Sequence, residues 1–215
     1  GQWLLACANF AILPNSAQSE SKNEAGRPVT TGPKDDPRKI LTRAVKEYHF
    51  HVYFDPRCDD QLQTAEQLRS HIINRVRKRE VVAVCHGVTS EMLPGLNESQ
   101  IPPVNVTRVG PHTSDGSYEV WIPQEYVSSV LSDLMLHRGQ LSILLHPLTR
   151  YSRDDHDGRS MWLGKKLPLR LEVLKEEGDD PPQYTELELG YSRDKQSCNK
   201  MAGSRWWLPR CSKIE

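Results

Sequence analysis

Eight histidines stand among 215 residues, and their placement is not scattered. Two of them, His49 and His51, alternate within Tyr48-His49-Phe50-His51-Val52-Tyr53-Phe54. Side chains alternate between the faces of a strand, so both rings point the same way with Cα atoms about 7 Å apart. His146 closes another apolar run, Leu141–Leu145, and His112 follows Gly110-Pro111. Together with Glu119 these imidazoles have the composition of a transition-metal site. Other catalytic signatures are absent: there is no nucleophile elbow, no phosphate loop and no dinucleotide fingerprint. Cys85 beside His86 is a poor nucleophile pair, because neighbours in a strand face opposite ways. His71, His86 and His137 read as exposed helix or loop residues.

The elements that must position these groups follow from periodicity. Residues 48–54 read as a strand rich in aromatic and β-branched residues, ended by Asp55-Pro56. Leu62, Ala65, Leu68, Ile72 and Val76 trace one face of a helix. Val81–Val84 is ambiguous, with an extra strand as one reading. Val104–Val109 and Ser117–Ile122 read as strands joined through an Asp115-Gly116 turn. Pro123 opens a second helix bearing Tyr126, Val127, Val130, Leu131, Leu134 and Met135 on one face. Arg138-Gly139 stops it, and Leu141–Leu145 is a last strand. The order strand, helix, strand, strand, helix, strand predicts an α+β fold, a ferredoxin-like split βαβ sandwich with two helices on one face of an antiparallel sheet. In that topology the first strand lies between strands 117–122 and 141–145, parallel to the former and antiparallel to the latter. Parity then gives Phe50, Val52, Tyr118, Val120, Ile122, Ile143 and their neighbours to the helices. It leaves His49, His51, Glu119 and His146 on the open face, with His112 at the end of the sheet where the first strand starts.

Lys plus Arg and Asp plus Glu each number 28, so the net charge is zero and lacks the basic footprint of a nucleic-acid binder. No apolar run reaches spanning length, which argues against an integral membrane protein. With 37% hydrophobic residues and a mean hydropathy of −0.63, the chain is expected to be one domain with polar ends. Residues 1–40 read as a disordered or processed segment, 41–175 as the domain, and 176–215 as a mostly irregular tail in which Trp206 and Trp207 form a small apolar island. Trp3–Leu13 has the length of a signal-peptide apolar region but no basic residues precede it, so a cytoplasmic location is expected, with secretion if residues 1–17 are a truncated signal. The five cysteines, at 7, 58, 85, 198 and 211, show no metal-binding spacing. They read as free thiols of a reducing compartment, with a Cys198–Cys211 bridge as the other reading.

The segments Tyr48–Asp55, Gly110-Pro111-His112, Arg138–Thr149, and Asp155-His156 followed by Trp162-Leu163-Gly164 resemble the DOPA 4,5-dioxygenase family, in the small form of fungi and bacteria. The resemblance covers about residues 46–166. It departs at Thr113, where proline is expected, and around Asp155–Gly158. It implies a non-haem iron(II) extradiol dioxygenase that cleaves L-DOPA or a related catechol with O₂, yielding a betalain-type pigment precursor, and it suggests a homodimer. The residues suit such chemistry. Imidazoles hold Fe(II) while leaving positions open, and a further imidazole outside the metal shell handles the protons that catechol binding and oxygenation move.

On this reading His49, His51 and His146 bind the metal, His112 is the acid–base residue, and His156 closes over the substrate. Glu119 replacing one ligand, or His112 and His51 exchanging roles, fits the residues nearly as well. The alternative function is a non-catalytic binding or dimerisation protein whose histidines hold a structural zinc in a closed four-ligand shell. RNA binding on the open sheet, with Tyr53 and Trp121 as stacking platforms, lacks the basic rim it would need.

Overall fold

The structure, a computed structural model, describes residues 45–179, 183, 185–195 and 206. The N-terminal segment and both members of the Cys198–Cys211 pair lie outside the described residues. Strand β1 (Glu47–Phe54) leads into helix α1 (Asp59–Arg77). Acidic Asp59 and Asp60 in its first turn and basic Arg75 and Arg77 in its last complement the helix dipole. Its stripe of Ala65, Leu68, Ile72 and Val76 is buried, as the three–four–four spacing requires. Strand β2 (Gly116–Pro123) is followed by a short 3₁₀ turn and helix α2 (Val127–His137). Strand β3 (Ser142–Pro147), the short helix α3 (Ser152–His156) and strand β4 (Met161–Leu163) complete the regular elements, and 3₁₀ turns lie at Leu171–Val173, Thr185–Leu187 and Gly190–Lys195.

The four strands form one sheet in the order β2-β1-β3-β4, with every neighbouring pair antiparallel. Phe50, Val52, Tyr118, Val120, Ile122 and Ile143 pack beneath Leu68, Ile72, Val130 and Leu134 in one apolar cluster. The Tyr118 hydroxyl donates to the Ala65 carbonyl at 3.0 Å, fastening β2 to α1. Arg75 ties the two helices together through Asp133 and Ser129. The architecture is the expected α+β sandwich, consistent with the ferredoxin-like split βαβ class, and the predicted parity holds on all three long strands.

Several local expectations are corrected. Residues 104–109 do not form a strand: Asn105 makes a single antiparallel bridge to Ser117. Val81–Val84 is likewise buried core with one bridge, Val84 to Trp121, on the outer side of β2. The edge beside β3 is taken instead by β4, whose three residues are too few to show a period. Strand β2 runs antiparallel to β1, with His51 opposite Glu119 and Phe54 opposite Gly116, where a parallel pairing was expected. A Cβ on Gly116 would lie 2.6 Å from the Phe54 carbonyl oxygen, so close backbone approach, rather than a hairpin turn, requires glycine there. The sheet face opposite the helices is not open. Leu148, and beyond the boundary expected at 175 Gln183 and Tyr191, bond back to Glu47 and His49 of β1. Trp206 packs against the core cluster. Among the described residues, no helix is long and apolar enough to cross a membrane.

Candidate metal centre

The register of the sheet brings the histidines together. His49 stands opposite His146 across the β1–β3 pair and beside Trp121 across the β1–β2 pair. His51, one pleat further along the same face, stands opposite Glu119. His112 arrives from the loop before β2. Because β2 is antiparallel to β1, it lies toward the Tyr53 end of the strand, not the starting end that a parallel pairing implied. Its ring nonetheless reaches the cluster, 4.2 Å from His51 between centroids. His156, on α3, lies 4.0 Å from His146. All five rings are buried, from 1% exposed at His146 to 8% at His156.

Two overlapping triads of ring nitrogens are close enough to share one ion, His49–His51–His146 and His51–His112–His156, with His51 common to both. The hydrogen bonds decide which nitrogens are free. His146 Nδ1–H donates to the Pro147 carbonyl at 2.7 Å and His156 Nδ1–H to the Ser152 carbonyl at 2.8 Å, leaving a lone pair on each Nε2. Such backbone locks on the far nitrogen are how proteins orient metal-ligating imidazoles. His51 Nε2 lies 2.9 Å from His146 Nε2. With a proton on His51 Nε2, its buried Nδ1 has no partner among the described residues. With the proton on Nδ1, 3.8 Å from Glu119 Oε1, two lone pairs face each other. A metal ion relieves the second arrangement, and 2.9 Å matches the spacing of two cis ligands with bonds of about 2.1 Å. The donor set therefore fits a first-row divalent metal.

Electrostatics agree. Burial pushes the imidazolium forms of His51 and His146 far out of reach, helped by the neighbouring rings, and burial brings His112 down to about 3. His49 and His156 are lowered by burial too, opposed in part by Glu119. Neutral rings are the ligating form. Glu119 lies within 3.9 Å of His49 Nδ1 and accepts from the Trp121 indole at 2.8 Å.

Surrounding contacts hold the pocket in place. His112 is 4% exposed and shares a 2.7 Å hydrogen bond between its Nδ1 and the Tyr53 hydroxyl. The Asp155 carboxylate, itself buried, accepts from the Thr149 amide and hydroxyl and from Arg159, which fixes the loop that carries His156. His49 Nε2–H donates to Gln183 Oε1 at 2.7 Å. The roles of Gln183 and Asp155 are not visible in the sequence. Asp155 lies in one of the resembling segments and Tyr53 on the right face, whereas Gln183 sits in a polar stretch with no periodic signal.

A model of the Dopa 4,5-dioxygenase family matches residues 48–173. The chain belongs to this family. All five clustered histidines fall inside the matched residues. A DOPA 4,5-dioxygenase of Amanita muscaria is 38% identical over 165 residues, which is 76% of this chain and 65% of that relative's length. A crystal structure of a provisionally named dioxygenase from Nostoc punctiforme aligns with 65% of this chain and 96% of its own, at 28% identity and a TM-score of 0.47.

Of the remaining histidines, His71 and His137, expected as exposed helix or loop residues, stack at 4.4 Å on the outer side of the helices. His71 Nε2 lies 3.5 Å from Asp133, which also holds Arg75.

Proposed function

We propose that this protein is a non-haem iron(II) extradiol dioxygenase that opens the ring of L-DOPA or a related catechol with O₂. The observation that carries the reading is the set of five buried, neutral imidazoles on one sheet face, two of them with Nε2 atoms 2.9 Å apart. The family relationship and the named activity of the Amanita relative point the same way.

In this proposal His49, His51 and His146 hold the metal, with the Glu119 charge 3.8 Å from His51 Nδ1 favouring a proton on that nitrogen. Iron(II) in that position supplies the redox chemistry that joins a catechol to O₂, together with Lewis acidity toward the catechol oxygens. The chain's own residues do the rest. His112 exchanges protons at Nε2, since its Nδ1 is engaged by the Tyr53 hydroxyl. That hydroxyl can donate to or accept from Nδ1, so the ring can present Nε2 either as a base or as an acid. His156, locked at Nδ1 with its ring 4.0 Å from that of His146, closes the pocket beside the substrate. The buried walls exclude bulk water from the reacting ring.

The test is anaerobic reconstitution with iron(II), addition of L-DOPA, then admission of air. A yellow product that requires iron, oxygen and both histidines of the His49–His51 pair supports the proposal. Tight metal binding without ring opening of any catechol tried would favour a structural metal and contradict it.

A further inference from the structure

Glu47 is the most deeply buried acid described, with no exposed surface, yet it forms no part of the histidine cluster. Its carboxylate accepts two backbone hydrogen bonds from far along the chain, from the Gln183 amide at 3.1 Å and the Tyr191 amide at 3.0 Å. Gly190 seats against the same carboxylate: it has a φ of +56°, and an added Cβ would lie 2.1 Å from Glu47 Oε1. Leu187 and Leu189 sink into the core cluster nearby. The Tyr191 hydroxyl donates to the Leu148 carbonyl at 2.8 Å. Glu47 and these partners from Gln183 onward lie outside the residues that the family model matches.

These contacts divide the labour. Apolar burial is non-directional, so Leu187 and Leu189 hold the C-terminal segment down without fixing where it lies. Hydrogen bonds to one buried carboxylate are directional and set its position. The consequence is read two residues along β1, where the Gln183 side chain meets His49 Nε2 at 2.7 Å.

We infer that Glu47 and Gly190 latch the C-terminal segment so that Gln183 sets the tautomer of His49, directing its Nδ1 lone pair inward. Gln183 Oε1 accepts the hydrogen bond from His49 Nε2–H, and Glu47 and Gly190 are positioning residues that act through it. The value of that tautomer for metal binding rests on the reading above; the tautomer itself does not.

The test uses the full chain with ¹⁵N-labelled histidine, free of metal, and reads the ring nitrogens of His49 together with hydrogen exchange at the Gln183 and Tyr191 amides. The wild type should show protonated Nε2 and bare Nδ1 at His49, with both amides protected. Gln183→Ala should lose the tautomer preference while the Tyr191 amide stays protected, and Gln183→Glu, which keeps an acceptor, should restore it. Gly190→Ala should lose the tautomer preference and also expose both amides by 10-fold or more, with Glu47→Gln acting in the same direction. Cobalt(II) titration should then show a loss of affinity of about 10–100-fold in the Gln183→Ala and Gly190→Ala proteins alike. An unchanged His49 spectrum in Gln183→Ala would overturn the inference. Failure of the metal reading is distinguishable, because the wild type would then bind no cobalt while the nitrogen spectra behaved as stated.

Discussion

Two histidine clusters lie on opposite sides of the same sheet, and only one has the making of a metal centre. On the outer side of the helices, His71, Asp133 and His137 lie close enough to share an ion. There His71 and Asp133 are partly exposed, and Arg75 already neutralises the one carboxylate. Across the core, five imidazoles are buried, held neutral by desolvation and in two cases locked by backbone carbonyls. Ligand type and spacing are similar in the two places. What differs is the supporting shell: burial keeps the rings deprotonated, second hydrogen bonds aim the lone pairs, and no competing cation from the described residues sits in the pocket.

The sharpest way to break this contrast is His51→Ala. His51 belongs to both buried triads, so its loss should weaken cobalt(II) or iron(II) binding by at least about 100-fold, beyond the loss of an outer partner, while His71→Ala leaves binding unchanged. An anaerobic metal titration of both variants checks it. Next in size, His112→Gln should keep iron but lower the ring-opening rate by about 10²–10⁴-fold, as expected for an acid–base group. Metal content measured beside single-turnover rates separates the two roles.

A smaller effect is expected on the helix side. Arg75→Ala should cost about 1–3 kcal/mol, since Arg75 donates to Asp133, Glu80 and Ser129. It should also raise zinc affinity at His71 and His137 by freeing Asp133, which denaturant melts and zinc titration would show. The last effect lies in the apolar layer between the clusters. Burial pushes the Cys85 thiol from 9.0 up to about 12. The fold keeps that proton where the unfolded chain releases it, so stability present below pH 9 falls as pH rises toward 12. The slope from this group is at most about 1.4 kcal/mol per pH unit. Cys85→Ala should flatten that decline in melts taken from pH 8 to 11.

Much of this contrast is legible in the amino-acid sequence. Strand alternation alone places His49, His51, Glu119 and His146 on one face, because parity within a strand does not depend on what the strand pairs with. Direction is another matter. The long connection from α1 to β2 has no tight turn to dictate orientation. Reading residues 104–109 as a strand therefore reverses β2 and moves His112 to the wrong end of β1. The cluster survives that error because His51 sits mid-strand, within reach of either end. Covering contacts such as His49 to Gln183, 134 residues apart, leave no local pattern at all. Gln183 and Tyr191 read as part of a tail until their amides are seen to bond to the Glu47 carboxylate.

The central claim is that the buried cluster binds the metal at which a catechol is opened. The most direct measurement is the visible spectrum of the iron(II)-loaded protein mixed anaerobically with L-DOPA and then exposed to air, run beside His51→Ala and His71→Ala. The account predicts yellow product from the wild type and His71→Ala, and none from His51→Ala. Product formation that survives in His51→Ala, or that disappears in His71→Ala, would contradict it.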